Sequence, residues 1–222
     1  MLNPGIFTFL KELKKNNHKE WFDDNRARYQ KLRKEFEFFI SLVIAEIGQF
    51  DKKAAQTTAQ ASIFRINRDI RFAANKEPYK TNFGAFIAHG GRKGINAGYY
   101  IHAEPGECFL AGGIYMPSGP MLKAIRTEIF ENLDEFSSIL ENKTFVRHFR
   151  NGIWGEKLIS APKGFPKDFE GLEYLKYKSY SVVKEEPDSI YTKPAFIKEV
   201  SEVFRAMYPF NAFLNRAVQN AE

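Results

Sequence analysis

Cysteine is almost absent from this sequence, which has only Cys108 among its 222 residues. A single cysteine excludes an intramolecular disulfide and a zinc site built from several thiolates. It is typical of a reducing compartment, so we expect a cytoplasmic protein. Cys108 lies in a strand-like pattern beside Phe109 and Leu110, which predicts a buried and unreactive thiol rather than a nucleophile.

Long hydrophobic runs are absent as well. The most apolar stretch, residues 38–47, contains Ser41 and Glu46 and is too short to span a bilayer. The first residues lack the basic head and the small-residue cleavage site of a secretory signal. Together these absences predict a protein with no membrane partner.

Motifs for common cofactors are missing too. The four histidines show no two-ligand spacing, so the sequence predicts no metal site. The sequence GGRKG at 90–94 lacks the spacing of a nucleotide-binding loop, and no Gly-x-Ser-x-Gly elbow is present. We therefore expect no cofactor, and the sequence leaves open whether the protein is an enzyme.

The composition is that of a folded protein with an aromatic core. Hydrophobic residues make up 44% of the chain and charged residues 27%, and phenylalanine occurs 22 times. These proportions exclude a disordered chain. The length suits one domain, which we expect to span residues 1–222.

Positive charge is concentrated in one segment. The formal net charge is +6, and residues 61–93 alone carry seven basic against two acidic side chains. In residues 94–222 the acidic side chains outnumber the basic ones. A local excess of this kind indicates a preference for anions at one place on the surface.

The order of sequence patterns predicts an α+β fold. Apolar residues at helical spacing precede residue 48, and Asn17 with Glu20 resembles a capping box. Helical patterns return after Pro117, and the last predicted helix ends at Pro209. Between them, strand-like segments separated by turn residues predict an antiparallel sheet of about four to five strands, flanked by N-terminal and C-terminal helices. The segments are 61–67, 83–89, 98–103, 108–115 and 176–183.

Several motifs together resemble a known family. They are NHKEWF (17–22), FRINRDIRF (64–72), KEPYKTNFG (76–84), GYYIHAEPG (98–106), GEKL (155–158) and LKYKS (175–179). In this combination the chain is similar to the family catalogued as domain of unknown function 2461, over nearly its whole length. The resemblance implies one α+β domain of bacterial and fungal type, and it implies no activity, cofactor or catalytic residue.

The basic segment contains the candidate binding residues. Arginine presents a planar fork that matches a carboxylate or a phosphate, and lysine adds a point charge. Several such donors at the end of a sheet would form an anion site. The alternative is that they pair with Asp69 and Glu77 and hold the loop in place. The predicted anion-binding residues are Arg65, Arg68, Arg71, Lys76 and Lys80.

Three further residues are candidates for catalysis. Tyr100 and His102 share one face of a predicted strand, and a histidine suits proton transfer near neutral pH. Asp69 is a third candidate, although neighbouring arginines should lower the pKa of its carboxyl and make it a weak base. The simpler interpretation of His102 is a strand histidine that is hydrogen-bonded to a neighbour.

Three functions from different classes remain open. The first is binding of an anionic small molecule, phosphate- or carboxylate-bearing, with or without catalysis. The second is a nucleic-acid-binding module, which the acidic C-terminal half makes the weaker hypothesis. The third is a structural or interaction protein without a ligand. The sequence indicates neither a reaction nor an oligomeric state.

Overall fold

The computed structural model describes residues 1–72 and 74–220. Three helices come first: α1 (Pro4–Lys15), α2 (Lys19–Asp24) and α3 (Arg26–Ile47). Helix α1 begins where the side chain of Asn3 accepts the backbone N–H of Gly5 at 2.7 Å. Helix α3 ends at Ile47, with Gly48 as its C-cap, and buries one stripe in the core. That stripe consists of Leu32, Phe36, Phe39, Ile40, Val43 and Ile47.

A four-stranded antiparallel sheet occupies the middle of the chain. Its strands are β1 (Phe83–Ile87), β2 (Gly98–Ala103), β3 (Phe109–Ile114) and β4 (Tyr180–Glu185), and they lie side by side in that order. A short turn joins β2 to β3. A helical segment separates β3 from β4 in sequence, yet the two strands pair directly.

The remaining helices complete the flanking layers. A short helix, α4 (Ala59–Ser62), precedes the sheet, and four helices lie between β3 and β4: α5 (Gly119–Glu131), α6 (Leu133–Glu141), α7 (Lys143–His148) and α8 (Leu172–Leu175). Helices α9 (Asp188–Tyr191) and α10 (Phe196–Gln219) follow. This order confirms the predicted α+β fold, with a central sheet flanked by N-terminal and C-terminal helices.

The two faces of the sheet have different surroundings. Successive side chains of a strand point to opposite faces, so β2 sends Tyr99 and Ile101 one way and Tyr100 and His102 the other. Tyr99 and Ile101 are fully buried in the core that α3 and α10 complete. Tyr100 and His102 are only partly buried. Their face of the sheet therefore provides the surface on which a site can form.

One predicted strand is wrong and another is displaced. Residues 61–67 do not form a strand of the sheet, because the side chain of Thr58 caps the helical turn α4 at the N–H of Ala61. Only single bridges follow, and one of them joins Ile63 to Ala85 of β1. The last strand begins at Tyr180 rather than at residue 176, because Tyr177 and Lys178 pair instead with the segment at Glu156 and Lys157, outside the sheet.

The predicted end of the last helix is also wrong. Helix α10 continues through Pro209 to Gln219. A proline inside a helix removes one hydrogen bond and costs about 3 kcal/mol. The apolar stripe continues beyond it with Phe210, Phe213 and Leu214, which are all buried. Their burial, about 1.5–3 kcal/mol for each side chain, outweighs that cost.

The predicted capping box at Asn17 is replaced by another arrangement. His18 caps α2, since its Nδ1 accepts the backbone N–H of Trp21. The side chain of Asn17 instead makes two hydrogen bonds to the backbone of Tyr79, of 3.0 and 3.1 Å. Asn17 thereby ties the N-terminal helices to the segment that leads into β1.

Among residues 1–72 and 74–220, no helix is both long and apolar enough to cross a membrane.

Candidate functional site

The partly buried face of the sheet forms the floor of an open cavity of about 1310 Å³. One row of side chains in this floor crosses all four strands of the sheet. Phe86 of β1 lies opposite Tyr100 of β2, Tyr100 lies opposite Ala111 of β3, and Ala111 lies opposite Val183 of β4. Three of these four side chains are apolar, so the floor favours the apolar part of a ligand.

A chain of hydrogen bonds runs along one side of this floor. The hydroxyl of Tyr100 lies 2.9 Å from Nδ1 of His102, and Nε2 of His102 lies 3.0 Å from a carboxylate oxygen of Glu104. The other carboxylate oxygen of Glu104 accepts the hydroxyl of Thr81 at 2.6 Å. Both partners of the His102 ring are therefore defined, which orients the imidazole and the phenol beside it.

The surroundings of this hydrogen-bond chain shift the pKa values of His102 and Tyr100. Burial lowers the pKa of His102, while Glu104 and Glu107 oppose that change. The ring also stacks on Phe109, with the ring centres 4.5 Å apart. Burial raises the pKa of Tyr100 to about 12. The phenol is therefore protonated at neutral pH and acts as a hydrogen-bonding group rather than as a phenolate base.

A lysine lies at the β1 side of the cavity. Burial lowers the pKa of Lys80, and the positive charges of Arg65, Arg68 and Arg92 lower it further. Its Nζ lies 5.1 Å from the centre of the Phe64 ring, and Phe64 also contacts Tyr100 edge-to-face. A cation and a phenol thus flank the same aromatic ring at this side of the cavity.

Contacts with neighbouring residues position Lys80 and Tyr100. Tyr79 stacks on Phe22, with the ring centres 4.0 Å apart, and its backbone is held by Asn17. Lys80 follows directly and donates its N–H to the carbonyl of Ile66. At Gly84, a Cβ atom would lie 2.7 Å from the hydroxyl oxygen of Tyr100. Glycine at this position therefore leaves the space that the Tyr100 hydroxyl occupies.

The predicted anion-binding residues are distributed over two environments. Within the described residues, Lys80 alone of the five lines the cavity. Arg65 is exposed and does not line the cavity, although its charge lowers the pKa of Lys80. The other three make contacts within the loop that follows residue 67. Arg68 lies 3.6 Å from Glu77, Arg71 pairs with Asp69 at 2.7 Å, and Lys76 donates to the carbonyl of Ile70.

Of the three catalytic candidates, the structure brings two together. Tyr100 and His102 are hydrogen-bonded to each other in the cavity. Asp69 lies on the exposed loop, where its hydrogen bonds with Arg71 lower the pKa of its carboxyl. Asp69 is thus separated from the pair, and its lowered pKa makes it a weak proton acceptor.

Comparison with known proteins assigns the chain to a family. A family model described as "Conserved hypothetical protein (DUF2461)" matches residues 5–213, which is nearly the whole chain. The chain belongs to DUF2461. A search of curated proteins and a search of solved structures each found no match. In this member of DUF2461, the motifs at 76–84 and 98–106 supply Lys80, Tyr100 and His102 to the cavity.

Other residues of the site were not predicted from the sequence. Glu104 and Thr81 complete the hydrogen-bond chain, although nothing in their local sequence marks them as partners of His102. Trp154 is another such residue: its side chain is 54% exposed at the rim of the cavity, next to Tyr115. The glycines on either side, Gly152 and Gly155, were a signal that Trp154 lies in a loop.

Cys108 also lies at the cavity wall. It is buried, and burial raises the pKa of its thiol to about 12, which keeps it protonated and unreactive at neutral pH. In the described part of the chain, no group of three or more histidine, cysteine, aspartate or glutamate side chains is arranged to hold a metal ion.

Proposed function

We propose that this protein binds an amphipathic anion, a small molecule with an apolar body and a carboxylate or phosphate group. The observation that carries this proposal is Lys80, a half-buried cation at the side of an apolar cavity. No carboxylate in the described residues lies within salt-bridge distance of it. Of the five anion-binding residues predicted from the sequence, this proposal keeps Lys80 and adds the apolar floor beside it.

The charge of Lys80 supports an anionic ligand group. A buried ammonium without a counterion loses hydration, and this loss favours its neutral form. The positive charges of Arg65, Arg68 and Arg92 act in the same direction, and the lowered pKa of Lys80 reflects both effects. An anion placed beside Nζ would reverse them, so binding should raise the pKa of Lys80.

The floor of the cavity supports an apolar ligand body. Phe86, Phe109, Ala111 and Val183 present carbon surface to the open space. Burying apolar surface contributes roughly 25 cal/mol for each Å², so a ring or an acyl chain lying on this floor would gain several kcal/mol before its ordering cost. The volume exceeds the roughly 300–1,000 Å³ of typical ligand pockets, which leaves room for such a body.

Two dyes that differ in one charge test this proposal. 8-Anilinonaphthalene-1-sulfonate carries a sulfonate, and N-phenyl-1-naphthylamine has the same rings without it. Fluorescence titration should show saturable binding of both dyes to the wild-type protein. In Lys80→Met, the affinity for the sulfonate dye should fall about tenfold, which corresponds to about 1.4 kcal/mol. The affinity for the neutral dye should stay within about twofold.

Lys93→Met is the matched control, because Lys93 is an exposed lysine of the same basic segment that does not line the cavity. Circular dichroism should show that both variants keep the wild-type fold. The proposal fails if the two variants weaken the sulfonate dye equally, or if Lys80→Met weakens both dyes to the same extent.

A further inference from the structure

The hydrogen-bond chain fixes where the proton of His102 lies. An ionised carboxylate only accepts hydrogen bonds. Glu104 accepts from Thr81 with one oxygen and faces Nε2 of His102 with the other. The contact of 3.0 Å therefore requires a proton on Nε2. In the neutral imidazole, Nδ1 is then a hydrogen-bond acceptor.

The acceptor at Nδ1 determines the orientation of the Tyr100 hydroxyl. Two donors face Nδ1: the hydroxyl of Tyr100 at 2.9 Å and the side-chain amide of Asn82 at 3.4 Å. The shorter contact lies at an optimal distance and the longer one near the limit for hydrogen bonds. Tyr100 therefore donates its only proton to His102, and the lone pairs of its oxygen are left for a partner in the cavity.

We propose that Tyr100 selects the ligand of this cavity by acting as a hydrogen-bond acceptor, and that the ligand is an amphipathic anion with a hydroxyl or N–H group on its apolar body. This inference rests on the proposed function and names a feature of the ligand that Lys80 does not recognise. A ligand with a carbonyl at the same place would present a second acceptor to the Tyr100 oxygen. Such a pair repels, and it leaves two groups unpaired when water is excluded.

Protonation of His102 would reverse this preference. With protons on both ring nitrogens, His102 donates from Nδ1 to the Tyr100 oxygen, and the Tyr100 hydroxyl proton turns towards the cavity. The carboxylates of Glu104 and Glu107 favour the protonated ring, whereas its burial opposes protonation. The other groups around the ring are the neutral Tyr100, Asn82 and Phe109. We therefore expect carbonyl ligands to be preferred only under acidic conditions.

The first experiment examines the protein without any ligand, so its outcome does not depend on the proposed function. Long-range ¹H–¹⁵N correlation spectra distinguish the two neutral tautomers of a histidine, and His102→Gln identifies the signals. At pH 8 we expect His102 to be protonated on Nε2 and bare on Nδ1. A proton on Nδ1 at that pH would overturn the inference, even if the cavity binds anionic dyes.

The second experiment uses decanoate and its derivatives with one hydroxyl or one ketone at carbon 3, 5 or 7. By calorimetry at pH 8, we expect the hydroxyl compound to bind about tenfold more tightly than the ketone at one of these carbons. As the pH is lowered and His102 takes up a proton, the preference for the hydroxyl compound should weaken. Tyr100→Phe should remove the preference, so that the hydroxyl compound and the ketone bind with equal affinity.

Tyr208→Phe is the control, because Tyr208 lies on α10 and outside the cavity lining. It should keep the hydroxyl preference. Equal binding of hydroxyl and ketone at all three carbons, or a preference that survives in Tyr100→Phe, contradicts the inference while decanoate binding still supports the proposed function. If none of these compounds and neither dye binds, the proposed function is contradicted. The orientation of the Tyr100 hydroxyl is then tested by the tautomer of His102 alone.

Discussion

Arg216 on α10 allows a carboxylate to remain buried in this protein. The side chain of Glu128 on α5 is only 7% exposed. It accepts a hydrogen bond of 2.6 Å from Nε of Arg216, which also binds Glu135 on α6. The three groups join three helices. Arg216 itself is 44% exposed, so solvent weakens its attraction to the carboxylates. Its main contribution to stability is that it gives the buried Glu128 a charged partner.

We expect Arg216→Met to lower the free energy of unfolding by about 1–3 kcal/mol, because it leaves the carboxylate of Glu128 buried without its charged partner. Denaturation in urea would measure this loss. Adding Glu128→Gln should recover part of it, since a neutral amide tolerates burial better than a charge. Lys198→Met, which removes an exposed cation of the same helix, should change stability by less than about 0.5 kcal/mol. Equal losses in the two single variants would contradict this account.

Contact between β3 and α10 depends on the absence of a side chain at Gly112. A Cβ atom at this position would overlap the Sδ atom of Met207 and would lie 2.5 Å from the carbonyl oxygen of Gly98. Met207 is fully buried on α10. The helix can therefore lie directly against the sheet backbone at this point, and this close approach helps to position the strand that supplies Phe109 and Ala111 to the cavity.

We expect Gly112→Ala to destabilise the protein by about 1–3 kcal/mol, the usual cost of adding a methyl group to a packed core. In a double-mutant cycle with Met207→Ala, the combined loss should be smaller than the sum of the two single losses, because the truncation removes the overlap with Met207 while the contact with the Gly98 carbonyl remains. Gly119→Ala is the control, because a Cβ atom at Gly119 would meet nothing within 4 Å. Thermal unfolding should show the control to be neutral or slightly more stable. A neutral Gly112→Ala variant would show that α10 can shift away without cost.

For the whole molecule, two histidines connect stability to pH. Burial lowers the pKa of His102 in the cavity and of His148 at the end of α7. In the unfolded chain both should titrate near the ordinary value of about 6.5. As the pH falls through that value, the unfolded chain takes up protons before the folded protein does. The free energy of unfolding therefore decreases with acidification, and the decrease ends once the folded histidines are also protonated.

Urea denaturation between pH 7.5 and pH 5 should show this decrease. His102→Gln and His148→Gln should each make the dependence on pH shallower, because each removes one of the groups that protonate earlier in the unfolded chain. A free energy of unfolding that increases as the pH is lowered from 7.5 to 5 would contradict the lowered pKa values of these two histidines.

Local patterns in the sequence predict the fold class and part of the site. Apolar periodicity, turn residues and the excess of basic residues in 61–93 are local properties, and they predicted the α+β fold and drew attention to Lys80, Tyr100 and His102. The predicted end of α10 at Pro209 was wrong because a local cost was outweighed by the burial of Phe210, Phe213 and Leu214. Tertiary packing overrides a local signal where the free energy gained by packing exceeds the local cost.

Contacts between distant segments of the chain set which side chains share the cavity. Strand register placed Phe109 beside His102, and the turn after β2 brought Glu104 to its ring. Lys80 and Arg71 belong to one basic segment, yet Lys80 lines the cavity whereas Arg71 pairs with Asp69 on the exposed loop. The physical reason is that register, burial and hydrogen-bond partners depend on contacts between distant segments, whereas charge and periodicity are carried by each segment alone.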